Sequence, residues 1–504
     1  MRKSILLLLV CLTTLTAFGQ TGPDDPRFAG MDRYADSVLQ LFHIAGFAVA
    51  VVENDKVIYA KGFGYRDYEK KLPVTPNTVF PINSCTKAFT DALCGILANE
   101  GKLGFDQPVR QYIPWFRFYN NYTTEHATIR DLMAHRTGLP RHDQVSDFFD
   151  NAGPRDSLVY RIRYLQPFAE LREKYQYNNL MYTVLGVVSE KITGQSYEQN
   201  IAERLLKPLE MSNTSLTTAG LMNSPDHSLG YYYDEQKGKI LSADYGTDPN
   251  PNCPAGGISS SVMDMSKWLI AWLNGGKYKD KQVLPDWYVK EAVHPQMPID
   301  NYSYGLGWYL SAFRGGHFRA EHSGTGRTSN SSVCFYPAAN GYSSPHRIGI
   351  VVLSNEFGDY ATSLIRDYIS DKLLNAGRTD LPGKIGDWPD WFAGYKAYYA
   401  SMHKPNTAQP ATIVKPSPLS HLLNDYTGKY FNPGYGTIEI YLKGDQLQAR
   451  LNKVDLSLKH FNFDVFDASP GGKLKFNTDN DGKIANITMP LEEMVSDIVF
   501  GRTK

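Results

Sequence analysis

Neither sign of charge prevails in this 504-residue chain, where 52 Lys and Arg stand against 52 Asp and Glu. Setting aside Arg2 and Lys3 with an N-terminal leader leaves 50 against 52, a net of −2. Such a balance recruits neither a nucleic acid nor an anionic membrane surface. Long apolar runs are also scarce. The one from Ile5 to Leu12 is too short to span a bilayer, and no other long run follows, so no transmembrane segment is expected and the mature chain should be soluble. Cysteine is rare, five in all, and Cys11 falls in the leader. The remaining even count, Cys85, Cys94, Cys253 and Cys334, permits disulfides in an oxidising compartment, but none is expected. Cys85 and Cys94 read as parts of one helix, about 13 Å apart by its rise and beyond disulfide reach. Burial as small hydrophobes is the better account of them.

Residues 1–20, MRKSILLLLVCLTTLTAFGQ, join a basic start, an apolar core and a small-residue stretch at Ala17, Phe18 and Gly19, the pattern of a secretory signal peptide. An exported protein, periplasmic or extracellular, is expected, with its mature chain beginning near Gln20. The alternative, a lipid anchor on Cys11, would leave only a stub of apolar core. With 42% hydrophobic, 21% charged and 13% aromatic residues the composition is that of globular protein, and the length calls for two domains or more.

From about Asp24 an amphipathic helix (Met31, Tyr34, Val38, Leu39, Leu41) leads into the apolar run FAVAVVE, read as a central strand, and then into a second strand, KVIYAKGFG. Residues 86–221 are mainly helical by periodicity, with Ala88, Phe89, Ala92, Leu93, Ile96 and Leu97 on one face. Strands return with GLGWYL, SSVCFYP and IGIVVLSNE. The order strands, helices, strands predicts an α+β domain over 21–378 in which the two outer groups complete one antiparallel sheet packed against helices, with a helical subdomain. Residues 379–420 hold Pro382, Pro389, Pro405, Pro410, Pro416 and Pro418 and one short aromatic helix around Trp388–Met402, and read as a linker. From 421 to 504, short alternating runs (TIEIYL, QLQARL, LSLKHF, KLKFNT, IANITM, DIVFGR) describe a small all-β, barrel-like module.

Ser84 and Lys87 stand in PINSCTKAFT, where a polar turn meets an apolar-periodic helix. Their spacing puts both side chains on one helix face. A serine hydroxyl needs a base within hydrogen-bond reach, and a helix start offers backbone donors and partial positive charge to an oxyanion. Lysine can be that base when burial and nearby cations keep it partly neutral. Ser401 and Lys404 repeat the spacing, but they precede Pro405 with no apolar scaffold after them. Tyr177 and Asn179 sit just before a helix faced by Leu180, Val184, Leu185 and Val188, suited to proton relay and to holding a substrate amide. Tyr119 and Asn121 spell the same pattern in an aromatic loop with no helix expected after it. His322, Ser323, Gly324 and Thr325 precede the strand SSVCFYP, where a substrate backbone can lie along a strand edge with an N–H aimed at an oxyanion. Nothing in this chemistry calls for a metal or a cofactor.

Together these residues resemble the serine β-lactamase and penicillin-binding-protein superfamily, whose signature is Ser-x-x-Lys, Tyr-x-Asn and Lys-Thr-Gly or a variant. The strings TIRDLMAHRTGLP, PLEMSNT, PAGGISSSVMDMSKWL, YGLGW and VVLSNE are similar to those of the family as well, and the likeness covers residues 28–375. Tyr177 points to the class C β-lactamase, esterase and D-alanyl peptidase branch. The resemblance implies Ser84 as nucleophile, Lys87 as proton acceptor, Tyr177 as relay and Asn179 as a carbonyl binder. It also implies an oxyanion hole from the backbone N–H groups of Ser84 and Thr325. His322 departs from the lysine of most β-lactamases, as in some D-alanyl carboxypeptidases and D-amino-acid peptidases. The C-terminal module resembles an appended lipocalin-like domain, with roles open between packing, binding an apolar ligand, capping the site and homo-oligomerisation. The expected function is hydrolysis of peptide (D-amino-acid type), amide or ester bonds through an acyl-enzyme on Ser84, acting on a small-molecule or peptide substrate such as one derived from peptidoglycan. The alternatives are a true β-lactamase, and a non-catalytic or slowly acylating protein that binds or senses peptidoglycan fragments.

Overall fold

A computed structural model describes residues 25–147, 154–246, 248, 250–337, 347–357, 361–376, 394, 417–469 and 471–503. The leader at 1–20, nearly all of the 379–420 segment with its helix, and the Ser401/Lys404 pair lie outside the described residues.

The sheet of the N-terminal domain is antiparallel and nine-stranded. Its strands are β1 (Gly46–Glu53), β2 (Lys56–Asp67), β3 (Leu72–Pro73), β4 (Met297–Ile299), β5 (Tyr302–Tyr304), β6 (Tyr309–Phe313), β7 (His317–Thr325), β8 (Asn330–Phe335) and β9 (Ile348–Ser354). They lie in the order β4-β5-β6-β7-β8-β9-β1-β2-β3, so the first strands pair with the last and the two outer groups do close one sheet. β1 explains its own unbroken apolar sequence. Phe47, Val49 and Val51 face a core shared with α1 (Met31–Leu41) and α5 (Ala361–Leu374), while Ala48, Ala50 and Val52 face α2 (Thr86–Asn99) and α4 (Val262–Leu273). A strand covered on both faces has no polar face to alternate with. α2 is buried along most of its length, with Phe89 stacked on Trp268 of α4 at 4.0 Å between centroids. α3 (Asn179–Thr193) crosses behind it, capped by Asn178, whose side chain accepts from the Met181 N–H at 3.1 Å.

Three sequence expectations need correction. GLGWYL is strand only from Tyr309, because Gly307 turns the chain at φ 76° and the Gly305 site leaves no room for a Cβ, which would lie 2.1 Å from the Ala292 carbonyl oxygen. Cys85 lies in a 3₁₀ turn, Asn83–Cys85, before α2 rather than inside it. A short helix, Asn121–His126, does follow Tyr119, started by the Asn120 side chain accepting from the Thr123 N–H at 2.7 Å.

The C-terminal module is a closed eight-stranded barrel: β10 (Gly428–Asn432), β11 (Gly436–Lys443), β12 (Gln446–Leu451), β13 (Val454–Asn462), β14 (Val465–Ser469), β15 (Lys473–Thr478), β16 (Ile484–Met489) and β17 (Ile498–Arg502). β10 pairs with β17 and closes it. Ile438, Ile440, Leu451, Phe466, Leu474 and Phe476 are buried in its core, as small barrels require. β10 and β14, five residues each, complete the barrel beside the six runs legible in the sequence. Among the described residues no helix is long and apolar enough to cross a membrane.

Candidate active site

The turn Asn83–Cys85 delivers Ser84 to the foot of the sheet. Asn83 holds φ at 47°, sparsely populated by non-glycine residues, and its side-chain amide donates to Ser329 at 3.1 Å (carbonyl) and 3.0 Å (hydroxyl). Such strain persists only where neighbours over-determine it. Lys87, in the first turn of α2, is fully buried. Its Nζ lies 2.7 Å from Asn179 Oδ1, 2.8 Å from the Ala255 carbonyl oxygen and 3.3 Å from Ser84 Oγ. A neutral amine has two N–H bonds and one lone pair. The first two partners can only accept, so they take the N–H bonds and leave the lone pair for the hydroxyl, which can donate. Burial lowers the Lys87 pKa to about 7, with Asp143 opposing the shift and Arg141 adding to it. This arrangement is able to take the Ser84 proton near neutral pH.

Asn179, first residue of α3, owes its amide orientation to Asp143. Its Nδ2 donates to the Asp143 carboxylate at 2.9 Å, which turns Oδ1 to Lys87. The amide is therefore committed within the protein on both sides, a different placement from the substrate contact expected for it. The Tyr177 ring lies 4.7 Å from Lys87 Nζ, and the Arg141 guanidinium stands 5.0 Å over it. Burial, then Tyr309, push its phenol well above the ordinary range, so it stays protonated. Tyr119 is 54% exposed on the surface, and the structure gathers Ser84, Lys87, Tyr177 and Asn179 into one cluster without it.

β7 packs against the Ser84 turn, with the Cys85 thiol donating to the His322 carbonyl at 3.2 Å. Gly324 permits this approach, since a Cβ there would lie 2.3 Å from the Ile82 carbonyl oxygen. β6 pairs with β7 only as far as Glu321, so residues 322–325 run past it with that edge open. Ser323 and Thr325 are exposed there. His322 is 1% exposed, and both ring nitrogens are engaged: Nδ1 with the Ser323 carbonyl at 2.7 Å and Nε2 with the Tyr304 hydroxyl at 3.0 Å. The carbonyl can only accept, so Nδ1 carries the hydrogen and Nε2 accepts from Tyr304. Burial and the nearby Lys87 lower its pKa to about 3. The ring is a neutral structural piece, with no hydrogen bond left to offer a substrate. A cleft of about 530 Å³ opens beside the turn, its lining including Asn83, Ser146, Asn252, Gly257, Arg327 and Ser329. Among the described residues no group of three His, Cys, Asp or Glu is placed to hold a metal ion.

A family profile described as Beta-lactamase matches residues 31–373. The chain belongs to the Beta-lactamase family. A second profile, a domain of unknown function (DUF3471), matches residues 413–502, the barrel. Protein flp of Staphylococcus aureus (strain MW2) is 29% identical over 350 residues, 69% of this chain and 67% of the relative. The Unguisins hydrolase ungD' of Aspergillus campestris is 28% identical over 443 residues, 82% and 78% of the two chains. The octameric penicillin-binding protein homologue from Pyrococcus abyssi shares the fold with a TM-score of 0.63 at 21% identity, over 93% of this chain and 99% of that one.

In this Beta-lactamase family member, four site residues escaped the sequence reading. Arg141 and Asp143 sit in a turn without periodicity, and Asp143 acts on Lys87 both by its charge and by holding Asn179. Ala255 contributes a carbonyl, which any residue carries, although its string PAGG stood out. His135, fully buried with its ring 4.4 Å from that of Tyr177, lay inside TIRDLMAHRTGLP unremarked.

Proposed function

We propose that the protein is an exported serine hydrolase that cleaves peptide bonds of the D-amino-acid type, amides or esters through an acyl-enzyme on Ser84. The observation that carries this reading is the three-way setting of Lys87, whose only hydrogen-bond partner able to donate, among the described residues, is the Ser84 hydroxyl. Lys87 takes the hydroxyl proton as Oγ attacks the acyl carbon. The carbonyl electrons move to the oxygen, held by the backbone N–H groups of Ser84 and Thr325. As they return, the bond to the leaving group breaks, and Tyr177, neutral and packed under Lys87, relays to the leaving group the proton that Lys87 took. Water then enters by the reverse relay and releases the acid. A protein that merely bound peptidoglycan fragments would gain nothing from a buried, partly neutral lysine at a serine.

The neutral His322 supplies no cation where most β-lactamases carry lysine, which disfavours recognition of a β-lactam carboxylate at that point. Peptide, amide or ester turnover is therefore expected to exceed cephalosporin turnover at least about tenfold in kcat/KM, a gap of roughly 1.4 kcal/mol. Export rests on the N-terminal leader sequence, and assembly of several copies is included in the proposal because the Pyrococcus homologue is octameric. The test is intact-mass analysis after a fluorophosphonate or a β-lactam, beside a panel of D-alanyl peptides, D-amino amides, short esters and a chromogenic cephalosporin. One adduct in the wild type and none in Ser84→Ala is the expected result. Labelling that survives Ser84→Ala would sink the assignment, and a cephalosporin turned over faster than every other substrate would replace it with a β-lactamase.

A further inference from the structure

Between Arg141, over Tyr177, and Asp143, bonded to Asn179, stands His142, which turns the other way, into the C-terminal barrel. It is fully buried and holds φ at 46°, a conformation that costs free energy unless its surroundings enforce it. Three bonds do so. The His142 N–H donates to Glu492 Oε2 at 2.7 Å, Nε2 donates to the Gln166 carbonyl at 2.9 Å, and Nδ1, thereby left as the acceptor, receives the Tyr435 hydroxyl at 2.7 Å. Two of the three come from the barrel, nearly 300 residues or more along the chain.

The barrel groups are themselves fixed. Tyr435 ends the turn between β10 and β11, where the Asn432 side chain accepts from the N–H groups of Gly434 (2.8 Å) and Tyr435 (3.0 Å). Asn452 donates to the Tyr435 carbonyl at 2.9 Å, and Arg161 of the catalytic domain donates to the Gly434 carbonyl at 3.0 Å. Apolar packing alone would join two domains. Directional bonds onto one strained residue inside a site turn instead set where that turn points.

We propose that the barrel is a working part of the active site, with Tyr435 and Glu492 as positioning residues that hold the 141–143 turn so that Asp143 aligns Asn179 and Asn179 aligns Lys87 on Ser84. This rests on Lys87 being the base, as proposed above. The hydrolase and its barrel act as one machine, and the link runs through four side chains rather than through the substrate cleft.

The experiment measures saturation kinetics of a fluorophosphonate probe, giving kinact and KI, and amide exchange of the peptide spanning 138–146. In Tyr435→Phe and Glu492→Ala, kinact is expected to fall about tenfold, the effect of one lost buried hydrogen bond, with KI within about twofold. Glu492→Gln, whose amide oxygen still accepts, should recover most of the rate. Phe476→Leu, which loosens the barrel core away from the turn, should lower the melting temperature and leave kinact unchanged. Exchange over 138–146 should quicken in Tyr435→Phe. Wild-type kinact in both Tyr435→Phe and Glu492→Ala, unchanged exchange, or a Phe476→Leu loss as large as theirs would each overturn the proposal. A wild type that labels elsewhere than Ser84 would instead overturn the role of Lys87, and the exchange measurement would still decide whether the barrel holds the turn.

Discussion

Lys87 sets the pH at which this site can work, because only the neutral amine has a lone pair for the Ser84 proton. With its pKa lowered to about 7, the acylation rate is expected to rise from acid through pH 7 and then level off. His322, lowered to about 3, should leave no trace in that limb. A rate flat from pH 5 to 9 would remove Lys87 from the role. Asn179→Asp offers a sharper check. It puts a carboxylate where the amide oxygen stands 2.7 Å from Nζ, which favours the ammonium, so the limb should move to higher pH by about one unit or more; a shift the other way would mean that the amide does not face Lys87. Ser84, Lys87 and Tyr177 were legible in the sequence because each sits at the start of a strongly periodic helix. Asp143 was not, since a turn residue carries no pattern and it reaches Lys87 by its charge and through Asn179 rather than by a bond of its own.

At the scale of elements, the site exists because β7 can press against the Ser84 turn. Gly324 makes that contact, and Gly324→Ala is expected to cost about 1–3 kcal/mol in denaturant unfolding, the range for overpacking, together with most of the acylation rate. Unchanged stability would show that the strand can retreat without loss. The sequence disclosed the central strand, the helix carrying Lys87 and the closing of one sheet by strands far apart, because burial on one or two faces writes a period of its own. It disclosed six of the eight barrel strands. β10 and β14 span five residues each, too few to write a clear period in the sequence, although Phe466 and Ala468 of β14 do alternate into the core.

Over the whole molecule, one apolar core runs from the helices of the catalytic domain into the barrel, and His142 adds its bonds across the same boundary. Calorimetry under reductant is therefore expected to give a single transition with equal calorimetric and van't Hoff enthalpies; two resolved transitions would show that the boundary carries little energy. Ser84 has a silent neighbour in this architecture. Cys85, Cys94, Cys253 and Cys334 are buried, unpaired thiols, and burial raises the pKa of Cys85 and of Cys334 to about 12, so the folded chain has almost no reactive thiolate. Unfolding in an oxidising medium would release all four at once to pair at random. The native fold is then its own antioxidant, and a melt in air, unlike one under reductant, would be a one-way journey.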